Sequence, residues 1–446
     1  MSTTTISLRD ILRSLPEGAA EAVVELHFAT QLLKALGFGP QEVHPQFPDG
    51  NNKFVDRAAR KTIGDDVFLH TKSNPYLLLE LKGRDINLAE GTKQYQSTVR
   101  QLKQYLLAPN CQTAQWGIIS NSCHIQLFRK HGKVVFPATQ CFALNEDNID
   151  RVVKEIRRKL EQPPKALTVS VYNNKGGVGK TTTTVNLAAI LTFLGKKVLA
   201  IDFDPNQQDF TSSLGLPLSE GHVFNALNDR DADLLSALDT YAFPLKKGDR
   251  ELKFDVIPAD QELVDASDDS LRKLLKRNML HRKLAAARQN YDYILIDSPP
   301  NWRFFSQLAV YAADVVLIPT KHNNLFSLEN AAMAITKFIP EIQAEKADGS
   351  PMPLPVFFNG EKITPSQREI AQQEITNIIR AAKKDGFDLL PYFYPRYTSS
   401  RRDLHIPHVP SYANIAGAAF SRTPAVYRDR YAHEYYKNLA KEYFLQ

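Results

Sequence analysis

Residues 169–182 constrain this chain more than any other stretch. Val169-Ser170-Val171-Tyr172-Asn173-Asn174 opens on β-branched residues and reads as a strand. Lys175-Gly176-Gly177-Val178-Gly179-Lys180-Thr181-Thr182 follows, a glycine-rich loop leading into a helix that begins at the threonines. Glycine lets a backbone turn sharply and approach a ligand closely, so successive N–H groups can wrap phosphates. In a strand–loop–helix of this kind the final lysine, Lys180, reaches the outer phosphates and the hydroxyl of Thr181 ligates Mg²⁺. A turn that binds nothing leaves Lys180 and Thr181 at those positions unexplained.

A chain of 446 residues exceeds one ordinary core, so at least two domains are expected. Its 43% hydrophobic and 23% charged content suits a folded, water-exposed protein. No apolar run approaches the roughly 20 residues of a membrane span, so no membrane partner is expected. Met1 to Thr5 is not a charged region followed by an apolar core, so no secretory leader is expected. The net charge of +6 is compatible with nucleic acid without demonstrating it. Cys111, Cys123 and Cys141 have no metal-ligand spacing and read as reduced thiols.

The loop carries a second lysine, Lys175, at its start. Lys-Gly-Gly-x-Gly-Lys-Thr resembles the deviant Walker A motif of the ParA/MinD family of P-loop ATPases, and the resemblance covers roughly the second two-thirds of the chain. It implies that residues Lys175 to Thr182 bind ATP with Mg²⁺. It also implies an ATP-dependent homodimer in which Lys175 reaches into the other subunit's active site. Lys196 to Ile201 then reads as a strand ending in Asp202-Phe203-Asp204-Pro205-Asn206-Gln207. This resembles the family's switch element, with Asn206 where glutamine is usual, and gives Asp204 the role of positioning the attacking water. Tyr293-Ile294-Leu295-Ile296-Asp297 has the Walker B form, which places Asp297 beside Mg²⁺ and makes Ser298 to Trp302 a second switch. Asp314 to Thr320 reads as one further strand, and Val356 to Gly360 as the next, with Asn359 where the family contacts adenine. Helices are expected from Ser366 to Lys384 and from Ala425 to Tyr443. The family binds double-stranded DNA through basic residues near its C-terminus, which makes Lys383, Lys384, Arg401 and Arg402 candidates. A solvated basic surface accounts for any one of them equally well.

The first part of the chain has a different pattern. Glu21 to Leu36 reads as one amphipathic helix closed by Gly37, Asp65-Asp66 as a hairpin turn, and Tyr76 to Lys82 as a buried strand. Glu80 and Lys82, on alternate positions of that strand, point to one face. Preceded by Asp56 on another strand, Glu80-Leu81-Lys82 resembles the PD-(D/E)xK nuclease core. The resemblance implies that Asp56, Glu80 and the carbonyl between Glu80 and Lys82 hold Mg²⁺ or Mn²⁺, with Lys82 orienting the water. Taken alone, Glu-x-Lys is more often an ion pair at a strand end. Gln101 and Tyr105, four apart on a helix from Thr92 to Leu107, resemble an element that touches DNA in RecB-like and type I restriction-subunit nucleases. Glu21 falls where the N-terminal domain of the restriction subunit HsdR has an accessory acid.

The expected fold is α/β throughout. Residues 1–160 form a restriction-endonuclease-like α/β domain. Residues 161–446 form a P-loop NTPase domain with a mostly parallel sheet and helices on both faces, and Pro163-Pro164 is a stiff joint between them. Two functions follow. One is an ATP-driven dimer switch controlling a metal-dependent DNA endonuclease acting on foreign or plasmid DNA. The other is a DNA-partition or positioning ATPase whose first domain only binds DNA or a ParB-like, operon-encoded partner. Both imply a cytoplasmic, nucleoid-associated protein. A nitrogenase-type reductase is excluded by the cysteines, all of which lie in the first domain.

Overall fold

The computed structural model describes residues 7–245, 251–264, 268–360, 363–398, 400–410 and 413–446. The chain divides into two compact units. One is residues 1–163 with 347–350 and 446; the other is residues 164–346 with 351–445. No helix among the described residues is long and apolar enough to cross a membrane.

In the first unit a seven-stranded sheet runs β1 (Val43–Pro48), β2 (Phe54–Ala59), β3 (Leu77–Leu81), β4 (Trp116–Ser120), β5 (His124–His131) and β6 (Val134–Pro137), with β7 (Phe142–Ala143) also paired to β5. Only β3 and β4 are parallel. A parallel pair needs a crossover, and α1 (Lys93–Leu106) supplies it. Thr92 caps α1 by accepting the Tyr95 N–H, as a threonine before an amphipathic run should. Every residue of β3 is buried. Its alternation splits the core: Leu77, Leu79 and Leu81 face the helices of residues 21–36 and α2 (Ile149–Glu161), while Leu78 packs with Leu102 and Leu106 of α1. Glu80 therefore faces α1.

Two local expectations change. The helix at residues 21–36 is α-helical over Glu21–Val24 and Thr30–Ala35, with a π turn at Glu25–Ala29 between them. Such single turns are frequent at functional sites. The Asp65-Asp66 turn closes a single antiparallel bridge between Ile63 and Asp66, but no strands extend from it, and Phe68–Thr71 follows as a helical turn. Asp66 is held by Arg60 (2.7 Å) and the Thr71 hydroxyl (2.7 Å).

In the second unit β8 (Leu167–Val171) leads through the glycine loop to α3 (Lys180–Phe193) and β9 (Val198–Asp202). With β10 (Asp239–Pro244), β11 (Glu251–Ile257), β12 (Tyr293–Asp297), β13 (Val315–Leu317) and, later in the chain, β15 (Met352–Pro353), they form a sheet ordered β10-β11-β9-β12-β8-β13-β15. All neighbours are parallel except β10 and β11. The single strand expected from Asp314 to Thr320 is broken. Pro319 has no N–H to continue a ladder, and β14 (Pro319–Thr320) joins β16 (Phe357–Gly360) and β17 (His408–Pro410) in a separate parallel sheet. Between them in sequence lie α4 (Leu325–Met333) and α5 (Pro365–Lys384).

α3 is buried along nearly its whole length. The expected final helix is split at Asp429, whose carboxylate caps α6 (Arg430–Tyr443). The preceding segment binds α3 directly: the Val426 N–H donates to Asn186 Oδ1 (3.1 Å) and the Tyr427 hydroxyl to the Ala189 carbonyl (3.1 Å). The strands thus bring three carboxylates, from β9 and β12, to the edge of the sheet where the loop sits.

Candidate active sites

The glycine loop is shaped by its surroundings. Gly179 has φ +84°, and a Cβ added there would lie 2.0 Å from Asn359 Nδ2, so both backbone and space demand glycine. At Gly176 and Gly177 an added Cβ would meet nothing within 4 Å, which leaves open room over the loop. The base of the loop is clamped. Asn173 Oδ1 accepts the Lys175 N–H (3.0 Å), and Asn173 Nδ2 donates to the Pro319 (2.9 Å) and Ser327 (3.3 Å) carbonyls. Asn174 Nδ2 donates to Asn330 Oδ1 on α4 (2.8 Å). Lys180 Nζ donates to the Lys175 carbonyl (3.2 Å) and closes the loop.

Thr181 Oγ1 donates to Asp297 Oδ2 at 2.7 Å, and Thr184, one turn on, to Asp297 Oδ1 at 3.3 Å. Asp202 receives the Thr211 N–H (2.9 Å) and hydroxyl (2.7 Å), and its Oδ1 accepts the Asp204 N–H (3.2 Å). Three nearly buried carboxylates therefore cluster here, and Asp297 and Asp204 lie in the field of Lys180. Burial pushes Asp202 up to about 6, raises Asp204, and holds Asp297 well above the carboxylate range, where the charge of Asp202 adds to it. Burial also lowers the Lys180 amine. Such a site carries excess negative potential, which a divalent cation would relieve. No group of three or more His, Cys, Asp or Glu among the described residues is arranged to hold a metal alone. The donor set fits Mg²⁺ brought with a phosphate ligand: Thr181 and Asp297 would hold it, and bound there it would neutralise phosphate charge.

An AAA domain family model matches residues 166–349. The chain is 40% identical over 155 positions to the sporulation initiation inhibitor protein Soj of Bacillus subtilis, covering 34% of this chain and 57% of that protein. It is 36% identical over 155 positions to the chromosome partitioning protein ParA of Myxococcus xanthus, covering 34% of this chain and 50% of that protein. The C-terminal part of the chain holds a ParA/MinD-type P-loop ATPase domain. The chain spans about half the length of these relatives. Among solved structures, the ATP complex of a Cyanothece McdA variant aligns with a TM-score of 0.46 at 19% identity, over 62% of this chain and 96% of that one.

Asn359, the expected adenine contact, packs against the glycine loop. Its amide Nδ2 donates to the Val178 (3.1 Å) and Gly179 (3.3 Å) carbonyls and to Thr183 Oγ1 (3.5 Å), so here it braces the loop from behind. Trp302 anchors the segment after β12. Its ring stacks on Phe338 (4.7 Å, 11°), tilts over Tyr172 (5.6 Å) and donates Nε1–H to Glu341 (3.0 Å). Phe338 lies in a second π turn, Ala334–Phe338, which continues α4. The basic candidates are not equivalent. Lys383 and Lys384 close α5 and are both exposed. Arg402 is also exposed, whereas Arg401 is paired with Asp403 (2.8 Å).

The first unit gathers its own candidates around β3. Lys82 Nζ lies 2.6 Å from Glu80 Oε1, 2.9 Å from the Leu81 carbonyl and 3.5 Å from Glu21. Asp56 Oδ2 accepts the Leu81 N–H at 2.6 Å. Burial, reinforced by the charge of Asp56, pushes Glu80 up to about 7; burial pushes Asp56 up to about 6. The second oxygen of Glu80 is buried with no hydrogen-bond partner among the described residues. A buried, unpaired carboxylate oxygen is costly, and a cation would satisfy it. That atom, Asp56 and the Leu81 carbonyl form a donor set that fits a divalent cation completed by phosphate oxygens and water. Gln101 donates to the Tyr105 hydroxyl (3.1 Å), and that phenol lies within the field of Glu80, Asp56 and Lys82.

Sequence reading did not single out Glu25, which pairs with Arg57 (3.2 Å) and adds its charge at Asp56. The π turn that begins at Glu25 leaves no sequence signal. Asn173 and Asn174 open the loop in sequence, but the Pro319, Ser327 and Asn330 partners that clamp them lie more than 140 residues away. Thr184 alone was findable, because it follows Thr181 by three residues on the same helix face.

Proposed function

We propose that this chain is an ATP-dependent DNA-positioning or partition ATPase, a switch whose ATP-bound dimer is retained on DNA and released by hydrolysis. The observation that carries this reading is the Thr181–Asp297 contact (2.7 Å) beside a loop bearing both Lys175 and Lys180. Two of the relatives named above are called a sporulation initiation inhibitor and a chromosome partitioning protein, which supports the positioning role. In this reading the loop N–H groups and Lys180 bind the phosphates, Asp204 orients water, and Lys175 completes the site of a second copy. Lys383, Lys384 and Arg402 meet DNA phosphates, and a ParB-like protein regulates turnover. The protein then works in the cytoplasm on the nucleoid. Sedimentation with plasmid DNA tests it: retention should be markedly stronger with ATP or a slowly hydrolysed analogue than with ADP. Retention that ignores the nucleotide would refute it.

A second reading is favoured by the cluster of Asp56, Glu80, Lys82 and Glu21 and by the unpaired oxygen of Glu80. Here the first unit is a Mg²⁺- or Mn²⁺-dependent endonuclease under control of the ATPase, and it acts on foreign or plasmid DNA in defence. Asp56 and Glu80 hold the metal, Lys82 orients the attacking water, and Gln101 and Tyr105 guide the strand. Supercoiled plasmid incubated with the protein and either metal distinguishes the readings. Nicking that is lost in Glu80→Ala supports cleavage. Intact plasmid with ATP-dependent retention leaves the first unit as a binding domain.

A further inference from the structure

Between Glu90 and Glu146 the chain has no acidic residue, yet it carries Lys93, Arg100, Lys103, Arg129, Lys130 and Lys133. α1 lies in this stretch. Its buried side is Tyr95, Thr98, Leu102, Tyr105 and Leu106. Lys93, Ser97, Arg100 and Gln104, spaced four, three and four apart, fall in one row on the opposite, exposed side. Lys93, Arg100 and Gln104 have no ion pair or side-chain hydrogen bond among the described residues. This is unlike α2 of the same unit, whose Arg151 and Arg157 are answered by Glu155 and Glu161 one turn on (4.0 and 2.7 Å). An ordinary solvated helix face mixes both signs. The row on α1 presents donors and positive charge alone, strengthened at Lys93 by the positive end of the helix dipole.

The row spans about 16 Å at 1.5 Å per residue. Beside it on the helix lie Gln101 and Tyr105, and beyond them Asp56 and Glu80. We propose that the exposed row of α1, with Lys93 and Arg100 as its charged contacts, binds the phosphate backbone of DNA independently of nucleotide. The inference rests on the reading that the first unit meets DNA, and it holds whether or not the β3 cluster cleaves. Polar Ser97 between the charges and Gln104 beyond them add donors, and phosphate contacts of this kind position a duplex without reading its sequence.

The test is fluorescence anisotropy of a labelled 20-base-pair duplex with the full-length protein, in chelator and without nucleotide, over a range of salt. Each phosphate contact contributes about 0.9 to the slope of log K against log salt. Lys93→Gln/Arg100→Gln should lower that slope by about 2, whereas Lys154→Gln/Lys159→Gln on α2, which removes the same charge, should leave it unchanged. Unaltered circular dichroism checks that both variants fold. An unchanged slope in the α1 variant overturns the proposal, as does an equal loss in both variants, which would mean diffuse charge. No nucleotide-free binding by the wild type also overturns it, while leaving ATP-dependent retention intact. Phosphatidylglycerol vesicles bound through Lys93 and Arg100, with no DNA bound, would assign the row to a lipid surface and overturn it too.

Discussion

Glu80→Gln measures the electrostatic cost of the β3 cluster. Glu80 is 1% exposed, one of its oxygens is met by Lys82 at 2.6 Å, and the other has no partner among the described residues. Burial raises its carboxyl from 4.5 to about 7. At 1.36 kcal/mol per unit, the ionised form costs the folded state at most about 3 kcal/mol. The folded state holds its proton more tightly than the unfolded chain does, so the contribution of Glu80 to stability is full below pH 4.5 and is lost as pH rises to 7. Glutamine keeps the shape and cannot ionise. The variant should therefore gain on the wild type by about 2 kcal/mol between pH 5 and pH 8. Urea titration of the full chain, followed through Trp116 on β4 in a Trp302→Phe background, reads the first unit by itself. Parallel pH profiles for the two proteins would refute the account of Glu80.

Gly179→Ala should abolish ATP binding in a fluorescent-nucleotide titration. It forces a side chain into φ +84° and to within 2.0 Å of Asn359, at a backbone cost of about 1–2 kcal/mol; wild-type affinity would contradict the described loop. Trp302→Phe keeps a ring against Phe338 but loses the bond to Glu341, so the second unit should lose no more than about 1.5 kcal/mol in chemical unfolding. A larger loss would mean that the indole does more than stack and donate once. Thr181→Val leaves a nearly buried Asp297 oxygen without its 2.7 Å donor, so ATP hydrolysis should fall and require more Mg²⁺. An unchanged Mg²⁺ dependence would remove Thr181 from the metal's neighbourhood.

How much was legible differs between the two units. The glycine loop and the strands ending at Asp202 and Asp297 announce themselves because each motif is contiguous and each strand is an unbroken apolar run. What brings them together lies far apart in sequence: Asn173 reaches Ser327, Asn174 reaches Asn330, and Asn359 reaches Gly179. Contacts of that separation leave no local pattern, so the bonds of Asn359 to the loop carry no sequence signal. Pro319 did carry a signal for the broken strand, and apolar periodicity masked it. In the first unit the two-residue alternation put Glu80 and Lys82 on one face, as they are found. The widened turn at Glu25–Ala29 could not be read, because π and α turns share the same residue preferences and differ by tertiary packing. The pairing of Arg401 with Asp403 was two residues away and was missed by counting charges of one sign only.

Lys175 bears most directly on the central claim, that ATP governs self-association and self-association governs DNA retention. The decisive measurement is analytical ultracentrifugation of wild type and Lys175→Ala with ATP analogue, ADP or no nucleotide, each with and without plasmid DNA. The account predicts a wild-type dimer, with DNA retention strengthened, only with the ATP analogue, and a Lys175→Ala protein that binds the analogue yet stays monomeric without that gain in retention. A wild-type protein whose mass and DNA retention are the same in all three nucleotide states would contradict it.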